Sequence, residues 1–113
     1  MLAEAIRWLL IRYRDRRGGE PVIGVAVYVP RTQDLLLRFR EDTDYIQEDD
    51  LEVLACIGED LHKQAAERGG LWTFQWMSDT FSNTVFVEGP YDHPLSDGHA
   101  VLEALSLTYG LPT

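Results

Sequence analysis

The segment that most constrains the fold is VIGVAVYV at Val22–Val29, which carries no charged side chain. Successive side chains of a strand point to opposite faces, so a strand that is apolar at odd and even positions needs cover on both faces. A turn precedes this segment, where Gly18 and Gly19 permit positive φ and Pro21 interrupts a ladder, and Pro30 closes it. The pattern predicts a covered strand in the centre of a sheet.

Two further segments predict strands on either side of this one. Residues 6–14 are rich in aromatic and branched side chains and lack a clean helical period, although a helix over 2–14 remains an alternative. Residues 35–40 alternate, with leucine and phenylalanine on one face and arginine on the other. Because the links between the three strands are short, we expect an antiparallel meander.

The second half of the chain predicts helices. Apolar residues recur at helical spacing over 48–68, and Gly69 and Gly70 end this helix. A second, short helix is predicted over 71–81 and a third from Ser96 or Asp97 to Tyr109. Between them, 84–88 is a predicted strand and 89–94 a loop.

The order of elements is therefore β-β-β-α-α-β-α, and 113 residues fit a single domain over 1–113. The simplest fold with this order of elements is α+β. It is a mainly antiparallel four-stranded sheet, in which the fourth strand returns to pair with the meander and the helices pack on one face.

Cys56 is the single cysteine, which excludes an intrachain disulfide and a cysteine-based zinc site. Its apolar neighbours predict a small buried side chain. No export signal or membrane span of ~20 apolar residues is present, so the expected compartment is the cytoplasm, with no membrane partner. No glycine-rich phosphate loop precedes a helix, and we expect no cofactor.

The charge is polarised along the chain. Residues 1–40 hold eight basic and four acidic side chains, a net +4, whereas 41–113 hold two and fifteen, a net −13. The acidic excess argues against nucleic-acid binding, which needs basic side chains to replace counterions. It favours solubility or a basic protein partner. The acidic run from Glu41 to Asp60 also permits a protein that mimics nucleic acid and inhibits a nucleic-acid-binding partner.

One candidate catalytic site lies at the junction of the second helix and the fourth strand. Asp79, Ser82 and Asn83 are polar side chains that could converge on a ligand. The alternative is that they satisfy local backbone groups at the helix end. A hydrolase here would need a histidine brought in by folding, because none is close in sequence.

A candidate metal site lies in the segment YDHPLSDGH. Asp92, His93, Asp97 and His99 are of ligand type for zinc or another transition metal, although the spacing matches no zinc signature. The alternative is a surface loop with Asp97 near a helix N-terminus. A weaker metal candidate is the acidic cluster formed by Glu41, Asp42 and Asp44.

The chain also has more large aromatic side chains than a small core needs. Trp72 and Trp76 are four residues apart, beside a helix face already filled by other apolar residues. An exposed tryptophan pair marks an interface. These two residues are therefore the predicted interface of a homodimer or of a complex with another protein.

Two motifs resemble those of a family of small bacterial proteins of unknown function, whose members have an NVGV-type strand, a basic strand after it and a later DTLSN-type segment. The residues that carry the resemblance are Val22, Ile23, Gly24 and Val25, then Asp79, Thr80, Phe81, Ser82 and Asn83. It covers about three quarters of the chain and departs from the family where Val22 and Ile23 replace Asn-Val. The resemblance implies a bacterial origin and assigns no catalytic residue.

Three hypotheses follow for the function. The first is a non-enzymatic interaction module that self-associates or serves as a subunit of a bacterial complex. The second is a small hydrolase that uses Asp79 and Ser82 or a metal held between Asp92 and His99. The third is the acidic inhibitor that mimics nucleic acid.

Overall fold

The computed structural model describes residues 5–15, 17–41, 48–81 and 84–111. Within these residues the elements follow the predicted order. They are β1 (Ile6–Tyr13), β2 (Val22–Val29), β3 (Asp34–Phe39), α1 (Glu48–Arg68), α2 (Gly70–Thr80), β4 (Val85–His93) and α3 (Gly98–Tyr109). The first segment is a strand, which decides between the two predictions for it.

The described strands form one four-stranded sheet in the order β3-β2-β1-β4, and each neighbouring pair is antiparallel. The predicted α+β class and the return of the fourth strand to the meander are confirmed. The strand at Val22–Val29 lies between two neighbours, and seven of its eight residues are buried. The apolar character of both its faces is thereby explained.

The helices cover both faces of the sheet, so the prediction that they pack on one face is wrong. On one face, β1 and β2 contribute Leu10 and Val27 to a core closed by Leu102 of α3. On the other face, Leu61 of α1 and Phe74 of α2 join a second core. Two central strands with apolar side chains on both faces need a helical layer on each.

The fourth strand is longer than predicted, because residues 89–93 continue it where a loop was expected. Its register against β1 shifts between Trp8 and Leu10, and Gly89–Pro90 is a cis peptide bond at that irregularity. A bulge re-aims the residues beside it. This irregularity places Pro90 at the edge of a cleft.

The exposed surface of α1 includes Cys56, contrary to its predicted burial. The buried side of the helix is provided by Leu61, with Leu54 and Ile57 partly buried beside it. Cys56 does not lie on this buried side of the helix. Among the helices of the described segments, none is both long and apolar enough to cross a membrane.

Candidate functional site

A small open cleft lies between α2 and the β1–β4 pair, with a volume of about 210 Å³. Its lining combines charged, polar and apolar side chains. These are Arg7 of β1, Phe74, Gln75, Ser78 and Asp79 of α2, and Pro90 of β4. Pro90 reaches the cleft because of the irregularity in β4.

Arg7 is the positive charge of the cleft. Its Cζ lies 5.9 Å from the centre of the Phe74 ring, which is itself 5.7 Å from the ring of Tyr28 beneath it. Arg7 is half-buried and makes no hydrogen bond or ion pair within the described part of the chain. Asp92 stands opposite it in the β1–β4 register without pairing with it.

Asp79, a residue predicted as catalytic, is the negative charge of the same cleft. It is exposed at the last turn of α2 and does not form an ion pair with Arg7. Its two predicted companions, Ser82 and Asn83, lie outside the described residues. The cleft lining contains no histidine, so among the described residues no general base of that type stands beside Asp79.

The two predicted interface tryptophans are in contact on the outer side of α2. Their ring centres are 6.2 Å apart with an angle of 11° between the planes, a stacked geometry. Trp76 is half-buried and packs edge-on against Phe81 at 5.5 Å. Trp72 remains 37% exposed beside Leu71, which is 42% exposed.

A cation lies over the exposed tryptophan. The Cζ atom of Arg68, at the end of α1, is 4.6 Å from the Trp72 ring centre. This cation–π contact favours the observed orientation of the indole. Arg68, Leu71, Trp72 and Trp76 together form an aromatic surface on the outer side of α2.

The candidate metal residues are divided between two elements and the turn that joins them. Asp92 and His93 belong to β4, whereas Asp97 caps α3 and His99 lies in its first turn. The Oδ1 atom of Asp97 accepts a hydrogen bond of 3.0 Å from the backbone N–H of His99. This is the capping role that was the alternative to metal binding.

His93 also has a local partner: its Nδ1 atom accepts a hydrogen bond of 3.1 Å from the backbone N–H of Leu95. Among the described residues no group of three or more His, Cys, Asp or Glu side chains is arranged to hold a metal ion. Of the weaker acidic candidate, Glu41 is exposed, and Asp42 and Asp44 lie outside the described residues.

A polar network lies on the sheet face opposite to the cleft. The Oη of Tyr91 donates to Oε2 of Glu88 at 3.0 Å, and Nε of Arg12 donates to Oε1 of the same carboxylate at 3.1 Å. The hydrogen bond to Glu88 is the main reason why the pKa of Tyr91 is raised above 10.0. Nearby, the indole Nε1 of Trp8 is buried and has no hydrogen-bond partner in the part of the chain that the structure describes. The Tyr91 ring packs 4.7 Å from that indole.

Sequence reasoning missed Arg7 and Pro90. A signal for Arg7 exists in the strand alternation, because Arg7 shares a face with the buried Leu9, Ile11 and Tyr13. A charge in an apolar row is a candidate for function or for an ion pair. Pro90 had no comparable signal, since its place depends on a shift in strand register.

Comparison of the chain with protein-family models, with curated proteins and with solved structures finds no match.

Proposed function

We propose that this protein is a non-enzymatic interaction module that self-associates through the aromatic surface on α2. The observation that carries the proposal is the stacked pair of Trp72 and Trp76, with Trp72 exposed next to Leu71. Tryptophan is enriched among the residues that contribute most of the binding energy in protein interfaces. Trp76 is half-buried, and the Trp72 ring stacks against it.

The charge of α2 favours a second copy as the occupant. The chain has a net charge of −9, and α1 exposes Glu52, Glu59, Asp60 and Glu67. By contrast, α2 contains a single charged residue, Asp79. In a two-fold dimer the same surface of each copy meets itself. Two copies can therefore associate through α2 without placing one acidic helix face directly against another.

The size of the surface limits the affinity. A helix of this length is about 16 Å long and about 10 Å wide, which is less than the roughly 800 Å² per partner of a standard stable interface. We expect a weak dimer, with a dissociation constant in roughly the micromolar to millimolar range. Weak association fits a module whose two copies are brought together by other means, or one that exchanges partners.

The experiment is sedimentation equilibrium of the full chain over a concentration series that spans this range. The wild type should show a monomer–dimer equilibrium, and Trp72→Ala should shift it to monomer. Leu107→Ala is the matched control, because Leu107 is the most exposed large apolar side chain among the described residues, at 76%, and lies on α3 at the opposite face. It should leave the equilibrium unchanged.

Salt separates self-association from binding to a basic protein. Two chains of charge −9 repel one another, so dimerisation should strengthen as salt screens the repulsion. Association with a basic partner would weaken under the same change. A wild type that stays monomeric at the highest concentration in high salt would refute the dimer and leave a subunit of a heteromeric complex as the better hypothesis.

A further inference from the structure

The cleft beside the aromatic surface contains polar side chains of both signs that have no hydrogen-bond partner among the described residues. Four half-buried arginines lie in the described segments, and three of them have hydrogen-bonding or electrostatic partners: Arg12, Arg38 and Arg40. Arg7 is the fourth, and its contact with Phe74 is through the ring face. A guanidinium has five N–H donors, and those of Arg7 are without a protein acceptor in the described chain.

The opposite charge lines the same small space. Asp79 is an acceptor, and the Ser78 hydroxyl and Gln75 amide add groups that both donate and accept. None of these three side chains makes a hydrogen bond within the described residues. Because Arg7 and Asp79 line one cleft without pairing, a ligand that carries both charges can bind each of them at once.

The apolar part of the lining and the volume restrict the ligand further. Pro90 is exposed and provides apolar surface for an aliphatic group, whereas Phe74 is part of the buried core beneath the cleft. A volume of about 210 Å³ is below the roughly 300–1,000 Å³ of pockets that take drug-sized molecules. The ligand is therefore small, with a carboxylate, an amine and a short apolar group.

We propose that the cleft binds a free α-amino acid with an aliphatic side chain. Its carboxylate accepts hydrogen bonds from the Arg7 guanidinium, its ammonium group donates to the Asp79 carboxylate, and its side chain packs on Pro90. Carboxylate recognition by a guanidinium fork supplies geometry as well as charge. A ligand of so few atoms in an open cleft binds weakly, with a dissociation constant of roughly a millimolar. The site is distinct from the tryptophan surface and does not depend on self-association.

The test is a titration of the isotope-labelled full chain with L-leucine, followed by amide chemical shifts. Saturable shifts should centre on Arg7 and α2. L-Leucinamide, which lacks the carboxylate, and N-acetyl-L-leucine, which lacks the amine, should each bind at least about tenfold more weakly, since each loses one charge-assisted contact. Repeating the titration on Trp72→Ala separates ligand binding from any change in dimerisation.

Matched variants test the two charges. Arg7→Gln should abolish binding and Arg7→Lys should weaken it, whereas Arg17→Gln, an exposed arginine in the β1–β2 turn, should bind as the wild type does. Asp79→Asn should weaken binding, and Asp60→Asn on α1 should not. Unchanged amide dispersion shows that each variant is folded. Absence of saturable shifts up to the solubility limit of leucine overturns the site, and equal binding of N-acetyl-L-leucine overturns the role of Asp79.

Discussion

The phenol of Tyr13 on β1 donates a hydrogen bond of 2.5 Å to Oδ2 of Asp50 in the first turn of α1. Tyr13 is fully buried, so its hydroxyl lies where water does not replace the carboxylate. The contact ties the start of α1 to a central strand 37 residues earlier in the chain. A carboxylate in the first turn interacts favourably with the helix dipole, and the hydrogen bond from Tyr13 gives Asp50 a second, tertiary role.

Tyr13→Phe should lower the free energy of unfolding by about 1–3 kcal/mol, because it leaves a partly buried carboxylate without this donor. Urea denaturation measures the change. The control is a double-mutant cycle with Asp50→Ala, in which a coupling energy of about 1 kcal/mol or more is expected. Additive effects of the two substitutions would contradict a direct contribution of this hydrogen bond.

The pKa of Tyr91 should lie above 10.0 and should fall toward that value in Glu88→Gln. Ionising the phenol removes the donor to Glu88 and places two negative charges together. Because the folded-state pKa is raised, the stabilisation is present below the unfolded pKa and is lost as the pH rises through the folded one. Phenolate absorbance during a pH titration, taken as the difference from Tyr91→Phe, isolates this residue.

Arg12 provides a control of opposite sign for this titration. Its charge lowers the pKa of Tyr91, so Arg12→Gln should raise that pKa above the wild-type value. Movement of the pKa in the same direction in Glu88→Gln and Arg12→Gln would show that a general structural change, and not the local charges, had been measured.

Two glycines should respond to alanine with opposite signs. At Gly58, within α1, a Cβ would lie 3.8 Å from the Phe39 ring, an ordinary contact, so Gly58→Ala should stabilise the protein by about 0.5–1 kcal/mol. At Gly70, the first residue of α2, a Cβ would lie 2.6 Å from the backbone oxygen of Gln33. Gly70→Ala should therefore destabilise it by about 1–3 kcal/mol. Thermal unfolding compares the two, and a stabilising Gly70→Ala would mean that α2 does not pack this closely on β3.

Asp97→Ala should cost about 1 kcal/mol of stability, because it removes the acceptor for the His99 amide at the start of α3. Asp97→Asn keeps an oxygen acceptor and should cost less. Ser96→Ala is the neighbouring exposed control and should change the stability by no more than about 0.5 kcal/mol. Chemical denaturation of the three variants provides the comparison. Equal stability of Asp97→Ala and the wild type would remove capping as the reason for an aspartate here.

The positions of the elements were predictable because they depend on short-range patterns. The bounds Val22–Val29 and Glu48–Arg68 agree with prediction, since an unbroken apolar run between turn residues and a helical period ended by glycine are both local signals. The N-cap role of Asp97 was one of the two alternatives given for that residue, because capping also depends on the local sequence. The stacking of Trp72 on Trp76 follows from their spacing of four residues on one helix.

Apart from the first segment, where a helix over 2–14 stayed an alternative, the sequence by itself determined which segments form strands and helices and which side of each is apolar. It also placed most of the acidic side chains after residue 40. Tertiary structure decided which sheet face each helix covers, because periodicity shows that a side is buried and not what buries it. It also decided the length of β4, because Tyr91, Asp92 and His93 pair with β1 beyond the point where a loop was expected to begin. The cleft has the same origin: Arg7 and Asp79 are 72 positions apart, and they line one space because α2 packs across the sheet beside an irregular edge strand.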